Sequence, residues 1–175
     1  MAILGVDDFK SKLTGGGARP NLFKVTCNFP TYVGADVEKA SFMVRAAQLP
    51  ASVLGMVEVP FRGRKLMMAG DRTFDPWTIT VLNDTDFAVR DAFEIWSNGI
   101  NAHSANTGLA NPTDYFADMI VEQLDNSGST VKKYDFRGTW PSNVGAIELN
   151  YDEATAIEEF EVELQIQYWE SNTTS

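Results

Sequence analysis

The chain has 175 residues, 24 acidic against 14 basic side chains, a net charge of −10, and 44% apolar and 11% aromatic content. That size and apolar content suit one globular domain with a single core, and the charge excludes a domain that binds nucleic acid by neutralising phosphates or a membrane through a polybasic patch. No run reaches the roughly eighteen apolar residues of a membrane-spanning helix, the N-terminus lacks a charged-then-apolar leader, and the lone Cys27 excludes an intrachain disulfide and fits a reducing compartment.

Residues 1–19 read as a flexible arm hinged at Gly15, Gly16 and Gly17, residues 20–170 as one domain, and 171–175 as a short tail. In the first strand candidate, Phe23, Val25, Cys27 and Phe29 alternate with Leu22, Lys24, Thr26 and Asn28, which puts Cys27 on the core side as a small apolar residue. Further strands are expected at about 40–48, 53–59, 64–69, 77–83, 115–124, 131–138, 145–151 and 157–169, between Pro, Gly, Asn and Asp turn signals. Trp77, Ile79 and Val81 mark one of these, and Ile147, Leu149 and Tyr151 another.

The β pattern breaks once. After the capping candidates Asp84 and Thr85, Val89, Ala92, Phe93, Trp96 and Ile100 recur at helical spacing, with Arg90, Asp91 and Glu94 elsewhere on the wheel. A polar loop then covers 101–112. These elements predict a mainly β fold: a β-sandwich or small barrel with one flanking α-helix.

Charge is unevenly placed along that pattern. Arg62, Arg64, Lys65 and Arg72 fall within eleven positions beside Pro60, Phe61 and Gly63, where a hairpin tip or long loop is expected, either as a solvated turn or as a part that docks on the next copy. From Glu159 to Tyr168 the order is strictly alternating, with Glu159, Glu161, Glu163, Gln165 and Gln167 on one side and Phe160, Val162, Leu164, Ile166 and Tyr168 on the other. Residues 141–175 hold eight acids and neither Lys nor Arg, so this polar face has no counter-charge nearby in sequence. It is either a solvated strand kept soluble by acids or a surface that faces polyanions without adhering to them.

Nothing in the sequence assembles a reaction centre. The one histidine, His103, stands in the polar loop without a nucleophile motif, and one His with one Cys cannot make a His/Cys metal site. Phosphate-binding glycine motifs are missing, and Glu161 and Glu163, about 7 Å apart on one strand face, lack the substrate cleft of a glycosidase pair. The reading is a non-enzyme without cofactor or metal.

Four blocks carry a resemblance: Ala18-Arg19-Pro20-Asn21-Leu22-Phe23; the run from Ala69 through Asp71-Arg72-Thr73-Phe74-Asp75-Pro76-Trp77 to Thr78; the Trp140-Pro141-Ser142-Asn143-Val144-Gly145 turn; and the closing Phe160-Glu161-Val162 to Tyr168-Trp169-Glu170. In order and spacing they resemble the tail tube proteins of contractile-tailed bacteriophages over about residues 18–170, departing from them before Ala18 and around 28–40. The resemblance implies hexameric rings whose inner strands join edge to edge as part of a larger multi-subunit β-barrel. The rings stack into a hollow tube through which DNA leaves, enclosed by a sheath, occupied during assembly by a tape-measure protein, nucleated by a baseplate and closed by a terminator. It further implies a virion tail assembled in the host cytoplasm without a membrane anchor. On this footing Glu159, Glu161, Glu163, Gln165 and Gln167 are expected to face the lumen or an adjoining subunit. The loop with Arg62, Arg64, Lys65 and Arg72 is expected to reach the neighbouring ring, and the helix face around Arg90, Asp91 and Glu94 to meet the sheath. Two rivals stand beside it: the ring-forming tube of a type VI secretion-like system, and a monomeric β-barrel that binds a small apolar ligand.

Overall fold

The computed structural model describes residues 5–13, 15, 17–153 and 155–174. Within the expected arm, helix α1 (Val6–Lys12) forms. Its start is held by Gly5 N–H donating to Asp8 Oδ2 at 3.1 Å, Asp7 and Asp8 stand in its first turn, and Lys10 and Lys12 in its last, which suits the helix dipole. The hinge residues Gly15 and Gly17 take left-handed backbone angles, φ 65° and 85°, and Gly16 lies outside the described residues.

Strand β1 (Phe23–Cys27) buries Val25 and Cys27, as the alternation predicts. The segment expected as one strand over 40–48 divides instead into helix α2 (Val37–Met43) and strand β2 (Val44–Ala47). The Asp36 carboxylate decides this locally. Its Oδ1 accepts from Glu38 N–H at 3.0 Å and Lys39 N–H at 3.1 Å, capping a helix that turns Ala40 into the core.

Strands β3 (Val53–Phe61) and β4 (Arg64–Thr73) make a separate two-stranded sheet, and β5 (Trp77–Leu82) buries Trp77, Ile79 and Val81. Helix α3 (Ala88–Ile100) buries the predicted stripe at Val89, Ala92, Phe93 and Trp96. Its capping position is Phe87, left-handed at φ 54°, rather than Asp84 or Thr85. Short α4 (Pro112–Tyr115) follows, so four helices stand among the described residues where one was expected. Strands β6 (Ala117–Leu124), β7 (Thr130–Val144), β8 (Glu159–Gln165) and β9 (Tyr168–Ser171) complete the chain.

One sheet runs in the order β1-β6-β7-β8-β5-β2, with β9 also on β7, and it folds on itself at β7. The first part of β7, up to Thr139, pairs with β6, and the part from Trp140 to Val144 pairs with β8. The chain thus makes an outer layer of β1, β6, β7 and β9 and an inner layer of β7, β8, β5 and β2. The layers meet at the stacked rings of Trp77 and Phe136, centroids 4.3 Å apart, and α3 adds Phe93 edge-on to Phe160 at 6.5 Å and to Phe29 at 5.2 Å. This is the sandwich alternative. A closed barrel does not form within the chain, because β2 and residues 140–144 end up on opposite borders of an inner layer with too few strands to close.

The C-terminal third also departs from expectation. The Trp140-Pro141-Ser142-Asn143-Val144-Gly145 block is not a turn: β7 continues through it to Val144 with an irregular register between Pro141 and Asn143. Proline is tolerated because no strand of the chain pairs with the other side of this stretch. Residues 145–151 do not form a strand: both sides of β8, the strand they lead into, are already taken by β7 and β5. The final alternation breaks after Ile166: β8 and β9 pair with different parts of β7, and Tyr168 is exposed.

Candidate assembly surfaces

The inner layer has a dry face and a wet one. Phe160, Val162 and Leu164 point into the core, so Glu159, Glu161, Glu163 and Gln165 point away from it. Opposite them on β5 stand Leu82, Thr80 and Thr78, paired with Glu159, Glu161 and Glu163, and Ala46 of β2 lies opposite Thr80. Gln167 is separated from this set. It sits in the break between β8 and β9, its backbone N–H donating to Arg137 O at 3.1 Å and its side chain close over Gly138.

The carboxylates of this face are not equivalent. Glu159 forms an ion pair with Arg45, a counter-charge carried across the sheet from β2 that sequence proximity did not reveal. Glu163 Oε1 accepts from Ser142 Oγ at 3.0 Å, while Glu161 is exposed. Residues 145–153 and 155–158 border one end of the face, where an open trough of about 1200 Å³ has Arg45, Thr80, Glu159 and Glu161 among its lining. Its lining mixes these charged and polar groups with the apolar side chains of Leu149, Tyr151, Ile157 and Phe160.

The inner layer has two unpaired borders. Among the described residues no strand joins the outer side of β2, and none joins residues 140–144 of β7 opposite β8. The strands alternate in direction across this layer, so β2 and the far stretch of β7 run antiparallel to one another. An unpaired border presents a row of backbone N–H and C=O groups that invite another strand.

The β3–β4 hairpin is the second exposed surface. Arg62 and Gly63 form its two-residue tip, both at positive φ, 46° and 82°, as a tight hairpin turn requires. At about 3.3 Å per residue the nine-residue β3 reaches roughly 30 Å. One face is apolar up to the tip: Val57, Val59 and Phe61 stand beside Met68 and Leu66, all 41–66% exposed, with Arg64 opposite Phe61. The tip gathers Arg62, whose guanidinium lies 5.3 Å from the Phe61 ring centre, Arg64, and Lys65, which pairs with Glu58. Arg72 belongs to the other end, opposite Leu54, so the four predicted cations divide three to one.

On α3, Asp91 and Glu94 are exposed, while the Arg90 side chain is only 17% exposed. Arg90 lies over the Phe160 ring, donates to Gly145 O, and pairs with Glu94 at 2.7 Å, so it ties the helix to the sheet rather than offering a free cation. The alternation did not reveal Lys39, which joins α2 to the α3 entry through Asp84 at 3.2 Å and through Asp86. Its hydrogen bond to Asp86 raises the lysine, and the Thr85 N–H and the lysine hold Asp84 below the usual carboxylate range. Among the described residues no group of three or more His, Cys, Asp or Glu is placed to hold a metal, and no helix is long and apolar enough to cross a membrane.

Two open borders and an uncovered apolar hairpin offer backbone and apolar surface for contact with other chains. Solved structures place its fold. The anti-feeding prophage tube-terminating cap superposes with TM-score 0.65 at 14% identity over 90% of this chain and 91% of that one. The sheath–tube complex of PVC, an extracellular contractile injection system, superposes with TM-score 0.62 at 12% identity over 93% and 96%. Sequence places the family. A family model described as phage tail tube protein matches residues 18–172, and tail tube protein gp19 of Enterobacteria phage T4 is 40% identical over 167 residues, 94% of this chain and 99% of that protein. The chain belongs to the phage tail tube protein family, as the tube component of a contractile, myovirus-type virion tail.

Proposed function

We propose that copies of this chain join border to border, β2 of one against residues 140–144 of the next, into a hexameric ring, and that the rings stack into the inner tube of the tail. The observation that carries this reading is the antiparallel relation of the two open borders. Repeating the inner layer around an axis continues one antiparallel sheet without a break and closes both of that layer's open borders. The polar side, with Glu161, Glu163, Thr78 and Thr80, then faces the bore. DNA passes a wall that offers acids and hydroxyls but few cations, so it slides out during ejection without sites to bind. Glu159 and Gln165 belong to the same wall, Gln167 to its rim, and the hairpin tip with Arg62, Arg64 and Lys65 reaches the adjoining ring.

The exposed Asp91 and Glu94 beside Arg90 supply the outer contact to the sheath. The remaining partners are a tape-measure protein in the bore during assembly, a baseplate that nucleates the tube and a terminator that ends it, with assembly in the host cytoplasm. The PVC structure holds sheath and tube together, and the anti-feeding prophage structure is a tube-terminating cap, which supports such partners. The same fold serves injection systems, so an effector conduit is the second reading; the 40% identity to a phage tube favours DNA. Electron microscopy of the purified protein, alone and with a baseplate seed, tests the proposal. Rings and tubes with Glu161 on the inner wall are expected. Absence of rings even with a seed, or Glu161 on the outer surface, rejects it.

A further inference from the structure

The hairpin and the 145–158 segment leave the inner layer at opposite ends. At one end Trp77 is paired with Leu164 and donates its indole N–H to Gln48 O at 2.7 Å, just before the chain rises into β3. At the other end Leu82 faces Glu159, and Asn83 N–H donates to Glu158 O at 2.8 Å, where the segment returns to the sheet.

These two ends also match in chemistry. The hairpin carries Arg62, Arg64, Lys65 and Arg72 against Glu58 and Asp71, around its bare apolar face. The segment carries Glu148, Asp152, Glu153 and Glu158 with no Lys or Arg, and leaves Leu149, Tyr151 and Ile157 81%, 104% and 68% exposed. A lone two-stranded hairpin is marginal in water, and apolar surface of this kind marks an interaction site. Helix α1 also exposes an apolar stripe, at Val6, Phe9 and Leu13, but its Asp7 and Asp8 are balanced by Lys10 and Lys12, so it offers the cations no net counter-charge.

We propose that the apolar face of one copy's hairpin seats on residues 145–158 of the copy stacked next to it along the tube, with Arg62, Arg64 and Lys65 meeting Glu148, Asp152 and Glu153. This rests on the stacking reading above and names the surface the hairpin meets. Donor and acceptor are different surfaces at opposite ends of the layer, so the contact is head-to-tail and never satisfies itself in a closed pair. Each ring keeps a free hairpin crown at one end and a free acidic crown at the other, which makes growth directional.

The test uses full chains assembled on a baseplate seed. Reversing the tip (Arg62→Glu with Arg64→Glu) is expected to stop growth at single rings, reversing the segment (Glu148→Arg with Glu153→Arg) to do the same, and combining both to restore tubes. Tubes of chains carrying Phe61→Cys and Tyr151→Cys are expected to give an oxidative ladder of linked chains; Cys27 is buried and stays out of it. Full-length tubes from the tip-reversed protein would overturn the stacking reading itself. Loss of tubes at the tip but not at the segment, or linkage of Phe61→Cys to Phe9→Cys in place of Tyr151→Cys, would overturn this pairing alone and leave stacking in place.

Discussion

The core between the two layers and the β3–β4 hairpin are written with similar residues and behave oppositely. Val121, Val162, Met119 and Leu164 are no more than 2% exposed, whereas Val57, Val59, Met68 and Leu66 are 41–59% exposed. What differs is what stands opposite. Core strands alternate apolar with polar positions and meet a second layer, while among the described residues no strand pairs with the hairpin and its apolar face stays exposed. On the stacking proposal this exposed apolar surface is half of an interface, which would put stability and assembly in separate parts of one chain.

The largest expected effect breaks that division on the core side. Phe136 is fully buried against Trp77, so Phe136→Ala costs about 3–5 kcal/mol in urea unfolding of the unassembled chain, enough to unfold a marginal domain. Phe61→Ala removes a ring of the same size that is 66% exposed, and changes that stability by no more than about 0.5 kcal/mol while shortening seeded tubes. Equal losses of stability in the two variants would show that the hairpin packs on its own chain.

A second pair of variants sharpens the hairpin side. Val59→Asp with Leu66→Asp places two charges on the apolar face, and the thermal midpoint of the isolated chain is expected to stay within a few degrees. Ring formation persists and tube growth stops, seen by sedimentation and electron microscopy. Unchanged tube length would remove the apolar face from the stacking contact.

The same contrast explains what the sequence could reveal. Burial imposes periodicity, so β1, β5, β8 and the α3 stripe were legible as alternation or helical spacing, Cys27 included. The Arg62-Gly63 tip was legible from its cations and glycine. Helix α2 was not, because Ala40 is its one buried residue and the deciding signal was a single capping carboxylate, Asp36. The stretch 145–151 imitated a strand because apolar residues alternate there too, although both sides of the adjoining β8 were already taken by β7 and β5. Nor was the Arg45–Glu159 pair visible, joining residues 114 positions apart. Both apolar segments that misled or lacked context, the hairpin and the stretch after β7, are the ones the stacking proposal brings together.

Titration of Cys27 is a smaller probe of the closed core. Burial pushes its thiol from near 9 up to about 12, so the folded state keeps the proton that the unfolded chain loses. The folded chain therefore holds more protons between about pH 9 and 12, and stability falls as pH rises through that window. Cys27→Ala is expected to flatten this alkaline limb in urea unfolding curves, and thiol reagents at pH 8 are expected to label the wild-type chain only through unfolding. Rapid labelling of the native chain would mean that the layer interface opens locally.

The smallest effect lies at the seam between α2 and α3, where an exposed charge cluster stands in for packing. Asp86 is held below the usual carboxylate range by Lys39 first and by the Ala88 N–H second, and Asp84 by the Thr85 N–H and then Lys39. Depressed folded-state values mean that the unfolded chain binds protons first on acidification. The contribution is thus complete at neutral pH and is lost as pH falls below the ordinary carboxylate range. Lys39 is shifted the other way, so its share is lost only as pH rises past its ordinary value near 10.5. Lys39→Met removes the shared cation and is expected to soften the acid limb and speed amide exchange in the first turn of α3, with little change at the β7–β8 register. Because the cluster is solvent-exposed, salt weakens the wild type toward the variant, whereas the Phe136 effect is indifferent to salt. An acid limb and exchange pattern identical in both proteins would assign the α3 entry to its buried Val89 and Phe93 instead.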